Sequence, residues 1–127
     1  MKYLFDTHVF IWYALGDERL SPRAKDLIDS PHDRFISMAS IWEIAIKVNI
    51  GHLEFREPFD KIVTDQFRIN GYKLLNLKLQ HLFKLSSLPL HHRDPFDRLI
   101  ISQALVEKIP IVSVDEKFDD YGVDTIW

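Results

Sequence analysis

The sequence contains no cysteine. A disulfide framework, a thiolate zinc centre and a cysteine nucleophile are therefore excluded at once. Glycine is nearly as scarce: the 4 present are isolated, so neither a G-x-x-x-x-G-K phosphate loop nor a G-x-G-x-x-G dinucleotide turn can be written. No run of roughly 18 apolar residues occurs, as a membrane span would need. The opening Met1-Lys2-Tyr3-Leu4-Phe5 meets an acid, Asp6, too soon to form a secretory leader. The chain thus reads as cytoplasmic and soluble, with no membrane partner. A basic excess is missing too, with 16 Lys and Arg against 19 Asp and Glu and a formal net charge of -3. Taken alone, that balance speaks against a nucleic-acid partner.

What is present is 127 residues, 46% of them apolar and 28% charged, the size and balance of one globular domain spanning 1–127. A chain of this length buries roughly two thirds of its unfolded surface and stands without covalent staples. Short apolar stretches at 3–5, 34–38, 72–77, 111–114 and 123–127 predict strands. Helical spacing predicts helices over 9–15, 22–30, 40–50, 59–69, 79–85 and 94–108, with Gly16, Gly51 and Asn70-Gly71 as stops. Strands alternating with helices predict an α/β fold with a mostly parallel sheet of four to five strands, covered on both faces. In such sheets ligands bind beyond the carboxyl ends of the strands.

Several acids fall at that edge. Asp6 follows the first strand, Glu43 stands in the first turn of the helix after the second, Asp94 and Asp97 open the longest helix, and Asp115 follows 111–114. Each has a local explanation. Ser40-Ile41-Trp42-Glu43 fits the S-x-x-E capping box, and Asp94-Pro95-Phe96-Asp97 fits an Asp cap, a Pro at the first helical position and an acid on the helix dipole. Capping is open to Asp6 and Asp115 as well. It explains any one of these acids but not their gathering at one edge, where like charges are costly unless a cation offsets them. Oxygen donors without thiolates suit Mg²⁺ or Mn²⁺.

Cationic and polar neighbours fall beside these acids. His91, His92, Arg93 and Arg98 are candidates to hold phosphates, with a pair to Asp94 as the competing role for Arg98. Lys47 is placed to pair with Glu43, with a phosphate contact as the alternative, and Thr7 and Ser40 to orient acids. Trp42 reads as core, with stacking on an RNA base as the alternative. The early helix, with Phe10, Ile11, Trp12 and Leu15, is apolar enough to serve an interface in addition to packing.

Phe5-Asp6-Thr7-His8, Ser40-Ile41-Trp42-Glu43-Ile44, His91-His92-Arg93-Asp94-Pro95-Phe96-Asp97-Arg98-Leu99-Ile100-Ile101 and Val112-Ser113-Val114-Asp115 together resemble the PIN-domain ribonucleases, in particular the VapC-type toxins of toxin–antitoxin pairs. The motifs occur in the family's order and spacing from Asp6 nearly to Trp127. The resemblance implies a PIN-like three-layer α/β/α fold and metal-dependent endonucleolytic hydrolysis of RNA, leaving 5′-phosphate and 3′-hydroxyl ends. It casts Asp6, Glu43, Asp97 and Asp115 as the four acids that bind Mg²⁺ or Mn²⁺. Asp94 is an additional acid: a ligand, an outer group or a cap. Substrate contacts fall to His92, Arg93, Arg98 and Thr7. The implied partners are an RNA substrate and a cognate VapB-like antitoxin docked on the early helix, in a homodimer or a hetero-oligomer with the antitoxin. Ser113 stands where many family members have Thr and keeps the hydroxyl.

Other functions make different demands. An inactive RNA- or antitoxin-binding module has no use for all four acids. A haloacid-dehalogenase-like phosphatase needs a second Asp where His8 stands. A metal-independent ribonuclease built on His91 and His92 would keep cutting in EDTA. The charge balance also changes meaning, because Asp6, Glu43, Asp94, Asp97 and Asp115 are five of the 19 acids and the 14 elsewhere face 16 Lys and Arg. Much of the net negative charge then belongs to the catalytic centre, and an RNA substrate is compatible with it.

Overall fold

In the computed structural model, which describes residues 1–127, β1 (Lys2–Phe5) is apolar on both sides of its pleat: Tyr3 and Phe5 enter one buried cluster and Leu4 a second. The division repeats in β2 (Asp33–Ser37), where Ile36 joins the first and Phe35 lies against the second. In β4 (Ile111–Val112), Val112 joins the first and Ile111 the second. Strands that are apolar on both faces belong to a sheet covered on both faces. With β3 (Lys73–Leu75) and β5 (Thr125–Ile126) they form a five-stranded sheet in the order β3-β2-β1-β4-β5, every pairing parallel. Phe10 and Trp12 of α1 (Thr7–Leu15), Ile28 of α2 (Pro22–Asp29) and Phe67 of α4 (Phe59–Asn70) fill one face. Leu99, Ile100, Ile101 and Ala104 of α6 (Pro95–Glu107), Leu85 of α5 (Leu79–Ser86) and Phe118 of a 3₁₀ helix (Glu116–Tyr121) fill the other. The α3 helix (Met38–Asn49) sends Ala39 to this second cluster and Ile44 to the first. The expected α/β architecture is therefore present, with all its strands parallel. No helix is long and apolar enough to cross a membrane.

The differences from expectation lie at element ends. The last two strands are two residues each because β4 pairs with β1 only at Leu4↔Ile111 and Phe5↔Val112, and with β5 only at Ile111↔Thr125 and Val112↔Ile126. After one further ladder bond, from the Ser113 N–H to the Ile126 carbonyl at 3.0 Å, the chain turns toward Asp115. The strand expected at 72–77 pairs only over Lys73–Leu75. Helix α1 begins at Thr7, earlier than its apolar run, because the Asp6 side chain caps it. Helix α3 begins at Met38, capped by Ser37, whose hydroxyl accepts the Ala39 N–H at 2.9 Å. Ser40 is then inside the helix and Glu43 in its second turn, so the S-x-x-E box does not form. The 3₁₀ helix, capped by Asp115, carries no periodic apolar signal in the sequence.

Two features shape the carboxyl edge of the sheet. In this strand order the chain leaves β1 toward one side of the sheet and later returns to fill the other, so the carboxyl ends of β1 and β4 lie where the order reverses, the place where such sheets bind ligands. Helix α6 is fastened to the other half of that edge by the fully buried Gln103. Its amide donates to the Leu75 carbonyl at 3.4 Å and the Asn76 carbonyl at 3.3 Å, and its oxygen accepts from the Ser37 hydroxyl.

Candidate active site

Asp6 leaves the end of β1 almost fully buried. Its Oδ1 accepts the His8 N–H at 2.7 Å, the α1 cap, and its Oδ2 accepts the Ser113 hydroxyl at 2.6 Å. The same Ser113 oxygen accepts the Asp115 N–H at 3.0 Å. One hydroxyl therefore joins the ends of the adjacent strands β1 and β4 and sets where Asp115 leaves the sheet. The spacing of Ser113, two before the acid, is the signal for this role. Asp115 uses Oδ1 as the cap of the 3₁₀ helix, accepting the Lys117 N–H at 2.9 Å.

Asp97, in the first turn of α6, comes in from the opposite side. Its Oδ2 lies 3.0 Å from His92 Nε2, and Asp115 Oδ2 lies 2.9 Å from the same nitrogen. His92, Asp97 and Asp115 each offer a ligand atom within 4.8 Å of the others. Asp94 is a cap in fact: its Oδ1 accepts the Phe96 N–H at 2.8 Å and the Asp97 N–H at 3.2 Å. Its charge still reaches the centre. Burial in the first place, then the negative charges of Asp6, Asp94, Glu43 and Asp115, pushes the Asp97 carboxyl up to about 8. Asp97 thus feels the charges of the other four acids.

Glu43 is 6% exposed and projects from α3. Its Oε2 pairs with Lys47 Nζ at 3.0 Å, as the spacing predicts, while Oε1 is buried without any partner. A buried carboxylate oxygen left unpaired is costly. The orphaned oxygen, the crowding that raises Asp97 and the oxygen-rich donor set would all be relieved by a hard divalent cation, so the residues present fit one.

The remaining candidates separate by exposure. Thr7 is 1% exposed, with its hydroxyl 2.8 Å from that of Ser40, so it links α1 to α3 and has no face for a substrate. His92 is 8% exposed with both ring nitrogens engaged inside the acidic cluster, which corrects its expected place as a phosphate contact. Arg98 does not pair with Asp94. Its guanidinium donates to the Pro89 carbonyl at 2.9 Å, to the Tyr121 hydroxyl at 3.3 Å and to the Leu88 carbonyl at 3.5 Å, bracing the loop that carries His92. Arg93 and His91 are exposed, the His91 ring meeting Tyr121 edge-on at 5.1 Å. Trp42, expected in the core, is 52% exposed and stands edge-on to Phe96 at 5.1 Å. His8 lies beside Asp6, whose carboxylate raises the imidazole above its ordinary value against the opposing effect of burial. Neither Tyr121 nor the inward turn of His92 is apparent from the sequence, because both depend on contacts between distant segments.

The model of the PIN domain family matches residues 3–124. The chain belongs to that family. No curated protein matches it, but solved structures do. VapBC2 from Rickettsia felis, bound to a DNA fragment from its promoter, contains a chain with TM-score 0.76 and 14% identity, over 99% of this chain and 98% of that one. FitAcB from Neisseria gonorrhoeae gives 0.67 at 15% identity, over 98% and 96%. A toxin–antitoxin complex from Klebsiella pneumoniae gives 0.67 at 15% identity, also over 98% and 96%. At such identities the likeness speaks for the fold, and it runs the whole length of this PIN domain.

Proposed function

We propose that this PIN domain is a divalent-metal-dependent endoribonuclease, the toxin of a toxin–antitoxin pair. The observation that supports the proposal is the acidic surroundings of Asp97, which burial and the charges of Asp6, Asp94, Glu43 and Asp115 push up to about 8, with Glu43 Oε1 left unpaired. Asp6 and Asp97 would hold Mg²⁺ or Mn²⁺ most directly, with Glu43 and Asp115 completing the set and Asp94 acting from its cap position. When bound, such a cation lowers the pKa of a water and offsets charge on the phosphate under attack.

The chain's own groups account for the rest. Ser113 and the His8 N–H fix the Asp6 carboxylate, so little reorganisation accompanies cation entry. The Lys47 ammonium pairs with Glu43 Oε2 and offsets part of the acids' charge toward an incoming phosphate. Arg93, exposed beside the cluster, suits a backbone phosphate of the RNA, and half-exposed Trp42 suits an unstacked base. RNA as substrate rests on the resemblance of the motifs. An antitoxin partner is supported by the neighbours' being toxin–antitoxin complexes. Assembly as a homodimer or a hetero-oligomer with that antitoxin, in the cytoplasm, completes the proposal.

Incubation of total RNA with the purified chain, followed by sequencing of the new ends, tests it. Cleavage is expected with Mg²⁺ or Mn²⁺, to stop in EDTA and to be lost in a folded Asp6→Asn variant. Cutting that survives EDTA would transfer the chemistry to His91 and His92, and an Asp6→Asn protein as fast as wild type would remove Asp6 from it.

A further inference from the structure

Both nitrogens of the His92 ring are committed. Nδ1 lies 3.1 Å from the Asp94 backbone nitrogen. A backbone N–H can only donate, so Nδ1 carries no proton and the neutral ring is protonated on Nε2. That N–H donates to Asp115 Oδ2 at 2.9 Å, and Asp97 Oδ2 lies 3.0 Å from the same nitrogen. The Nε2 edge of the ring thus stands against two carboxylates from separate segments, Asp97 in the first turn of α6 and Asp115 in the loop after β4. The backbone beneath the ring is held as well, since the Tyr121 hydroxyl accepts the N–H of His92 at 2.7 Å and that of His91 at 2.9 Å. Phe118 flanks the ring at 6.0 Å. Proximity alone would make His92, Asp97 and Asp115 a ligand triple. A protonated Nε2, however, has no lone pair to give a cation, and the only other nitrogen is turned to Asp94.

We propose that His92 is a positioning residue of the metal site: its Nε2–H holds one oxygen of Asp115 while the same ring edge seats Asp97 beside it, so that the two carboxyl groups meet at one point. The inference rests on the metal-dependent function proposed above. It gives His92 a role distinct from both a metal ligand and a phosphate contact. It also gives Tyr121 and Arg98 a purpose, because they hold the loop from which the ring hangs.

Mn²⁺ titration of the full chain, followed by electron paramagnetic resonance, tests the proposal. His92→Phe keeps a buried ring but has no N–H, and it is expected to bind Mn²⁺ about 10–100-fold more weakly, the usual loss when an outer partner of a ligand is removed. His92→Gln, whose amide reaches toward the Nε2 position, is expected to recover most of that loss. A role in packing alone would track the ring, and Phe would serve better than Gln. Affinity unchanged or tightened in His92→Phe overturns the proposal, as does a directly bonded imidazole nitrogen in the pulsed spectrum of Mn²⁺ on the wild type. Nitrogen NMR of the wild-type ring decides without any variant: protonation on Nε2 is expected, and a ring protonated on Nδ1 overturns it. Wild-type chain that binds no Mn²⁺ removes the metal-dependent function itself and this inference with it, a result visible before any substitution is made.

Discussion

Acidic residues live in two different societies in this molecule. Beside and along α4, Lys61 lies 2.7 Å from Glu57 and 2.8 Å from Asp65, and Arg68 reaches Asp65 at 3.3 Å. Hydrogen bonds from Lys61 first and Arg68 second hold the Asp65 carboxyl below its usual range. At the carboxyl edge of the sheet, Asp97 meets four other acids under partial burial and moves the opposite way, to about 8. The same functional group is a finished ion pair in one place and half of an unfinished one in the other. Exposed pairs are screened and add little to stability or chemistry. A crowded, buried set of like charges lowers the stability of the fold that holds it, and it persists because it can do something a paired set cannot.

The largest way to break this contrast is Asp97→Asn. RNA cleavage is expected to fall by more than the roughly 100-fold that loss of an outer group costs, while the metal-free protein becomes more stable. The sign comes from linkage. The folded chain keeps the Asp97 proton up to about pH 8, whereas the unfolded chain releases it near the ordinary value of 3.8, so metal-free stability falls as pH rises between the two. Melting curves in EDTA should therefore show the Asn variant gaining most over wild type at pH 8 and nearly nothing at pH 4; equal melting at pH 8 would mean the crowding is not felt.

Ser113→Ala comes next. Asp6 Oδ2 loses its donor and the Asp115 N–H its acceptor, and a drop in cleavage of about 10–100-fold at saturating Mg²⁺ is expected. Tyr121→Phe removes the acceptor of the buried His92 N–H, and urea unfolding should record a loss of about 1–3 kcal/mol. The smallest effect belongs to the other society: Lys61→Ala should leave both melting temperature and cleavage where they are, and a change in cleavage there would tie α4 to the site.

The contrast also marks what a sequence can disclose. Both ion pairs of Lys61 lie at helical spacing, and so does Lys47 with Glu43. Asp6, Asp94 and Asp115 stand at element starts that apolar runs and Pro95 make visible, and each does cap the helix after it. The family motifs supply roles for the acids that spacing alone does not. Ser40 misleads as a cap because two serines stand near one helix start, and the choice falls to Ser37 through Gln103, a partner far along the chain. His92 misleads for the same reason: its partner Asp115 arrives with the folded sheet, and a histidine next to an arginine otherwise looks like part of a phosphate-binding surface. Arg98 turns from its helical neighbour to the carbonyls of a loop whose course no local pattern announces.

Gln103 has a consequence for accuracy. A helix seated only by Leu99, Ile100, Ile101 and Ala104 has several nearly equivalent seats, since aliphatic surfaces tolerate small slides and rotations. An amide matched at its oxygen by the Ser37 hydroxyl and at its nitrogen by the Leu75 and Asn76 carbonyls admits one setting, as an alignment pin does in a machined joint. The pin lies about two turns along the helix from Asp97. The footing from which that carboxylate reaches His92 is therefore set on the dry side of α6, by a side chain that never meets the solvent.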